Sequence, residues 1–210
     1  TLHEYKAVCP VYTLTSYNAP CESCKGHSFW RALPRRCNHN SVSRTAVSVI
    51  ESYVSRWLGA IDEVDHFIGI SDFLSRKMTE LGIPADRITT VHNFIDCARY
   101  QPQYEPGSYV LYFGRLERVK GIYTLLDAAA DIRGTRIVIA GTGQESENIR
   151  RTIESRGLSN VEMLGFVSPD RLPELIRGAL CTVLPSEWYE PFGLAAIESQ
   201  ALGKPVIGTR

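Results

Sequence analysis

The 210-residue sequence carries no net charge, because 23 lysines and arginines are matched by 23 aspartates and glutamates. A balanced chain offers no broad attraction to a polyanion, which argues against nucleic acid as a partner. No stretch approaches the roughly 20 apolar residues that cross a bilayer. No signal peptide, internal repeat or low-complexity tract is read either, and the expected setting is cytoplasmic. Gly141-Thr142-Gly143 lacks the third glycine of a dinucleotide fingerprint. What is present fits an ordinary globular chain, with 44% hydrophobic and 22% charged residues. The length suits one large domain or two small ones. The first residue is Thr1, and Val206 to Arg210 reads as a strand entering a loop. Both ends are expected to be cut from a longer protein.

The six cysteines are uneven: Cys9, Cys21, Cys24 and Cys37 crowd the first forty residues, while Cys97 and Cys181 stand alone. A Cys-x2-Cys pair with two outliers suits a structural zinc site of four thiolates, with two disulfides in an oxidising compartment or free thiols as the alternatives. His27 and His39 are substitute ligands or plain loop histidines. Residues 6–40 hold prolines, these cysteines and several Ser and Asn residues, so a long helix or strand is not expected there. Lys25, Arg31, Arg35, Arg36 and Arg44, with Phe29 and Trp30, form either a solvated face or a contact with an anionic surface. That surface would be lipid headgroups or an acidic acceptor.

Thr1 to Tyr5 reads as a strand end passing into a loop, which makes His3 a candidate site residue. Residues 41–59 read as a helix, with Val42, Ala46, Val49, Ile50, Tyr53, Val54 and Trp57 as its buried stripe. A strand at 66–70, a helix opened by Ser71 and Asp72, and a strand at 88–92 follow. Residues 97–108 have two prolines and no apolar period, which places a boundary there. The expected domains are 1–100, with the insert 6–40, and 101–210.

From Tyr109 the pattern alternates. Strands are expected at 109–113, 136–140, 161–164, 181–184 and 205–208. Helices are expected at 121–132, 145–156, 169–177 and 194–202. That alternation predicts an α/β fold with a parallel sheet and right-handed crossovers. Its strand-to-helix loops must then emerge on one edge. They carry Gly114-Arg115, Lys120-Gly121, Gly141-Thr142-Gly143, Gly165-Phe166-Val167 and Glu190-Pro191-Phe192-Gly193-Leu194 through Glu198. Arg115 can grip a diphosphate bidentately and Lys120 adds a point charge. Phe166 and Val167 can wall a base pocket. The amides at the start of the last helix suit a phosphate, Glu190 can accept from sugar hydroxyls, and Glu198 from a ribose diol.

As a set these motifs resemble the retaining glycosyltransferases of family 4. Ile70-Ser71-Asp72-Phe73-Leu74, Leu81-Gly82-Ile83-Pro84 and Val91-His92-Asn93-Phe94-Ile95-Asp96 extend the resemblance through the first half. It implies the GT-B fold of two Rossmann-like parallel-sheet domains, both incomplete here. By that resemblance Glu190 binds the donor sugar, Glu198 the ribose, and Arg115 and Lys120 the diphosphate. Gly114, Gly143, Phe166, Val167 and the amides of Phe192, Gly193 and Leu194 complete the donor site. His3 faces the sugar from the other domain. The implied partners are a UDP- or GDP-linked sugar donor and a saccharide or lipid-linked acceptor, with peripheral membrane contact at the inner face. No catalytic metal is implied, and polysaccharide or lipopolysaccharide assembly is the implied setting. Phe94 stands where the family often has glycine. A nucleotide-sugar binding protein without catalysis and a zinc-dependent interaction module are the competing readings.

Overall fold

The computed structural model describes residues 1–209, and all their side chains but that of Arg99. The chain divides into two units. One is Thr1–Phe94 together with Trp188–Phe192; the other is Ile95–Glu187 together with the residues from Gly193 onward.

In the first unit a short hairpin, β1 (Thr15–Ser16) with β2 (Ala19–Pro20), lies in the cysteine-rich stretch and precedes α1 (Ala32–Arg35). The longest helix is α2 (Val42–Trp57), started by Ser41, whose hydroxyl accepts from the Arg44 amide at 3.4 Å. Then come β3 (Phe67–Gly69), α3 (Asp72–Glu80) and β4 (Ile88–Thr90). Ser71 caps α3 by accepting from the Leu74 amide at 3.0 Å. The strands β3 and β4 are parallel, and Leu2 bridges Gly69 in parallel, so Thr1 to Tyr5 does run from a strand position into a loop. The core holds Tyr5, Leu14, Leu74 and Met78, all fully buried, with Val8, Cys9 and Phe67 around them.

The stripe expected on α2 is corrected. Only Val49, with Thr45, is buried, whereas Val42, Ile50, Tyr53, Val54 and Trp57 are exposed. A 3.6-residue period shows that a helix has an apolar face; it does not show what covers that face. Val49 on the buried side of α2 packs in a small cluster with Phe29 and Ala32. Phe29, expected beside the cations of an anion-facing surface, is therefore a core residue, while Trp30 remains exposed.

The second unit is built on five parallel strands. Its elements are β5 (Tyr109–Phe113), α4 (Ile122–Asp131), β6 (Arg136–Ala140), α5 (Ser146–Arg156), β7 (Val161–Gly165), α6 (Leu172–Arg177), β8 (Ala179–Leu184), α7 (Leu194–Ala201) and β9 (Val206–Gly208). The strand order is β7-β6-β5-β8-β9. Tyr112 of β5, with Ile137 and Ile139 of β6, enters one apolar cluster with α4 and α5. Tyr109, Leu111 and Phe113, with Val138 and Ala140, enter the other with Ile176 and Leu202. Successive side chains leave a strand on opposite faces, so a strand covered on both must be apolar throughout. Each such side chain contributes about 1.5–3 kcal/mol by leaving water. No helix among the described residues is long and apolar enough to cross a membrane.

Candidate functional site

The order of the second unit's sheet places the switch between β5 and β8, and ligands of open parallel sheets gather at such a point beyond the strands' carboxyl ends. The loops there are joined backbone to backbone. The amide of Gly114 donates to Ala140 at 3.0 Å, Leu116 to Thr142 at 2.9 Å, Glu145 to Leu116 at 3.0 Å, and Gly141 to Gly165 at 2.7 Å. Across the switch, the Glu187 amide donates to Val119 at 2.8 Å. The Tyr112 hydroxyl donates to the Arg115 carbonyl at 2.8 Å, so a buried ring holds the backbone of the cation-bearing loop.

Gly141 is glycine for a reason the sequence did not show. Its φ is +142°, and a Cβ built there would lie 1.8 Å from the Gly114 carbonyl oxygen. The close approach at Gly141 is to the backbone of another loop. Gly143 likewise has the Leu116 backbone against it, with a Cβ falling 2.3 Å from that carbonyl oxygen.

On this scaffold the Arg115 side chain is exposed and paired with Glu117 at 2.9 Å. Lys120 ends a single 3-10 turn, Arg118–Lys120, and is half-buried. Gly193, in the left-handed conformation, begins α7, whose first turn has no side-chain cap, with Leu194 exposed at its start. Glu198 lies one turn into α7. Burial raises its carboxyl above the usual range, and the Tyr100 hydroxyl, 3.4 Å away, pulls it part of the way back. Sequence reasoning missed Tyr100, which stands 98 positions from its partner. Under α7, Thr182 donates to Ser199 at 2.9 Å and Ser199 to the Ala195 carbonyl at 2.7 Å, with both hydroxyl residues fully buried.

Phe166 and Val167 do line a cavity, of about 680 Å³, with Leu164, Ser168, Arg171 and Glu174. Arg115, Lys120 and Glu198 are not among its lining residues.

Glu190 and His3 belong to the first unit. His3 is exposed just after the Leu2 bridge. Glu190 accepts from the Trp188 indole at 3.0 Å. Its charge, after burial, helps push the Tyr5 hydroxyl well above the ordinary phenol range. Phe192 packs on the first unit's core, and the Pro191 carbonyl accepts from Ser71 at 2.5 Å.

All six thiols are unbonded, and among the described residues no group of three or more His, Cys, Asp or Glu side chains is placed to hold a metal ion. Cys9, Cys37 and Cys21 lie near enough to Cys24 to oppose its ionisation. Burial, and then the neighbouring thiols, pushes Cys24 up to about 12.

A family model described as "Glycosyl transferases group 1" matches residues 99–210. A glycogen synthase of Mycobacterium tuberculosis is 36% identical over 165 residues, covering 73% of this chain and 39% of its own length. A D-inositol 3-phosphate glycosyltransferase of Acidothermus cellulolyticus is 32% identical over 162 residues, covering 65% of this chain and 36% of its own length. The chain thus spans under two fifths of these curated relatives. Among solved structures, Anabaena Alr3699/HepE in complex with UDP and glucose superposes with a TM-score of 0.62 at 23% identity, over 69% of this chain and 44% of that one. Staphylococcus aureus TarM gives 0.62 at 20% identity, over 70% and 30%. These likenesses show the fold, which is GT-B.

Proposed function

Since the chain belongs to the glycosyl transferases of group 1, we propose that it carries the donor site of a retaining, metal-independent enzyme of family 4. The reaction moves a sugar from a nucleotide diphosphate-sugar to an acceptor hydroxyl. The observation that carries the proposal is the β5–β8 switch, where the loop of Arg115 and Lys120 is clamped against the Gly141 loop and the uncapped start of α7 follows. Two cations and helix amides can neutralise a diphosphate as its charge develops, which is the work a metal would otherwise do. Glu198, held by Tyr100, is assigned to the ribose diol, and Phe166 and Val167 are assigned to the base by the family resemblance alone. Glu190 and His3 are assigned to the donor sugar. HepE, solved in complex with UDP and glucose, supports UDP as the first nucleotide to try. The glycogen synthase relative supports a saccharide acceptor and a role in polysaccharide assembly.

No side chain is assigned as a nucleophile on the sugar's far face. The acceptor oxygen attacks the anomeric carbon on the side from which the diphosphate leaves. The carbon–oxygen bond to phosphate breaks as the new glycosidic bond forms, and the acceptor proton passes to the departing phosphate oxygen. A peripheral contact with the cytoplasmic face of an anionic membrane belongs to the same proposal. It is favoured by exposed Lys25, Arg31, Arg36 and Arg44 with Trp30 and the open face of α2.

The test follows the anomeric configuration of the product by NMR, with UDP-glucose as donor and a maltooligosaccharide as acceptor. Retention, loss of turnover in Glu190→Gln and no sugar adduct on either protein by mass spectrometry are expected. Inversion, or an adduct on Glu190, overturns the mechanism.

A further inference from the structure

The five residues Trp188–Phe192 leave the second unit in mid-chain and pack with the first. Something in the first unit must hold them, and the hydrogen bonds show what does. Tyr189 is held through its carbonyl, its ring and its hydroxyl. Its carbonyl accepts from the Tyr5 hydroxyl at 3.1 Å, and its ring lies 5.7 Å from that of Phe73. The Lys77 ammonium sits 5.0 Å from the ring centroid. Its hydroxyl donates to Glu22 Oε1 at 2.9 Å, and the same oxygen accepts from Lys77 Nζ at 2.9 Å. Lys77 also reaches Glu80, at 2.6 Å. Glu22 thus closes a triangle of carboxylate, phenol and ammonium around the residue next to Glu190.

Glu22 is itself carried on a tight loop of the cysteine-rich stretch. The Cys21 amide donates to Leu14 at 2.7 Å and the Lys25 amide to the Glu22 carbonyl at 3.0 Å. The loop is far from Tyr189 in sequence, 167 positions away, so this contact is tertiary and has no local substitute.

We propose that Glu22 is a positioning residue for Glu190, and that the cysteine-rich stretch is a brace whose task is to hold the Tyr189–Glu190 segment in its sugar-binding conformation. This rests on the assignment of Glu190 to the donor sugar. Hydrogen bonds to a charged group stabilise more than neutral ones, and the Tyr189 hydroxyl makes one such bond while its ring is held separately. Removing that hydroxyl loosens the segment without emptying the core. The brace touches the side that handles the sugar and not Arg115, Lys120 or Glu198, all of which belong to the other unit. Its loss must therefore be selective for the sugar over the nucleotide.

The experiment compares wild type, Tyr189→Phe, Glu22→Gln and Glu22→Asp in two readouts. Amide hydrogen exchange by mass spectrometry is expected to quicken about tenfold over 188–192 in Tyr189→Phe and Glu22→Gln, with residues 109–140 unchanged. Exchange within twofold of wild type over 188–192 in Tyr189→Phe overturns the brace. Tyr189→Phe serves even where Glu22→Gln fails to fold, since it removes one oxygen. The second readout is affinity for UDP, GDP and ADP and for their glucose conjugates. The ratio of conjugate to free nucleotide affinity is expected to fall about tenfold in the two variants, with free-nucleotide affinity unchanged and Glu22→Asp restoring part of the ratio. A quickened segment with an unchanged ratio overturns the positioning role. A wild type that binds none of the six ligands contradicts the proposed donor site instead, and the exchange measurement still decides the brace.

Discussion

Gly141→Ala isolates the close packing on which the second unit's loops depend. A methyl group added there lies 1.8 Å from the Gly114 carbonyl oxygen, where ordinary contact needs about 3.4 Å or more. The obstacle is backbone, so no side chain can swing aside. The β5 and β6 loops must part by roughly 1.5 Å, or Gly141 must leave its φ of +142°. Strained backbone at one such residue costs on the order of 1–3 kcal/mol. The bond from the Gly114 amide to Ala140 and that from Leu116 to Thr142 lie in the same seam and weaken with it. A loss of about 3 kcal/mol corresponds, for 150–250 residues, to a fall of about 6–12 °C in the unfolding midpoint. Gly134→Ala is the control. Its φ is also positive, at +77°, but nothing lies within 4 Å of a Cβ built there, so it carries backbone strain without the clash. Calorimetry of both variants beside wild type separates the two effects, with Gly141→Ala falling several degrees further. Equal shifts for the two variants refute the steric argument, and a Gly141→Ala protein as stable as wild type refutes the packing itself.

Three further outcomes are expected. Lys120→Ala should weaken nucleoside diphosphate binding by about tenfold or more and leave nucleoside binding nearly unchanged, because it removes a charge-assisted contact to phosphate alone; titration calorimetry with UDP and uridine reads both. Burial raises the Glu198 carboxyl, so it is protonated at a pH where an exposed glutamate is already ionised. If the ionised form accepts from the ribose, affinity is full above that raised pKa and is lost as pH falls through it, beginning at a higher pH than for an ordinary carboxylate. Glu198→Gln should flatten this pH profile. Ser199→Ala should cost about 1–3 kcal/mol in denaturant unfolding, because the Thr182 hydroxyl then loses its acceptor in a fully buried place; an unchanged midpoint would mean that Thr182 finds another partner.

The second unit's elements were legible in order and type, although α6 begins at Leu172 and not at 169, and β8 at Ala179 and not at 181. Its strands are short apolar runs between glycines and charged turns, and β5 and β6 appear where double-sided burial requires continuous hydrophobicity. The cap at Ser71 was legible for an equally local reason, a side-chain oxygen placed just before a helical period. What escaped depends on partners distant in sequence. The period of α2 predicts a buried face, but a period carries no information about its cover. Tyr189 gave no sign that Glu22 would hold it, since the two stand 167 positions apart. Gly141 was visible as a glycine, yet whether a ligand or another loop lies against it is a tertiary fact. The cysteine spacing foretold proximity of the thiols around Cys24, while no group of three or more His, Cys, Asp or Glu side chains is placed to hold a metal ion among the described residues.

The most direct trial of the donor site is the unfolding midpoint of this chain with saturating UDP, GDP or ADP, beside Lys120→Ala and Glu198→Ala. A ligand that binds only the folded form at about 100 times its dissociation constant adds about 2.7 kcal/mol of stability. One nucleotide should raise the midpoint by several degrees in wild type, and the rise should shrink or vanish in both variants. A cooperative transition in wild type that none of the three nucleotides moves would contradict the assignment of the β5–β8 switch to a nucleotide diphosphate.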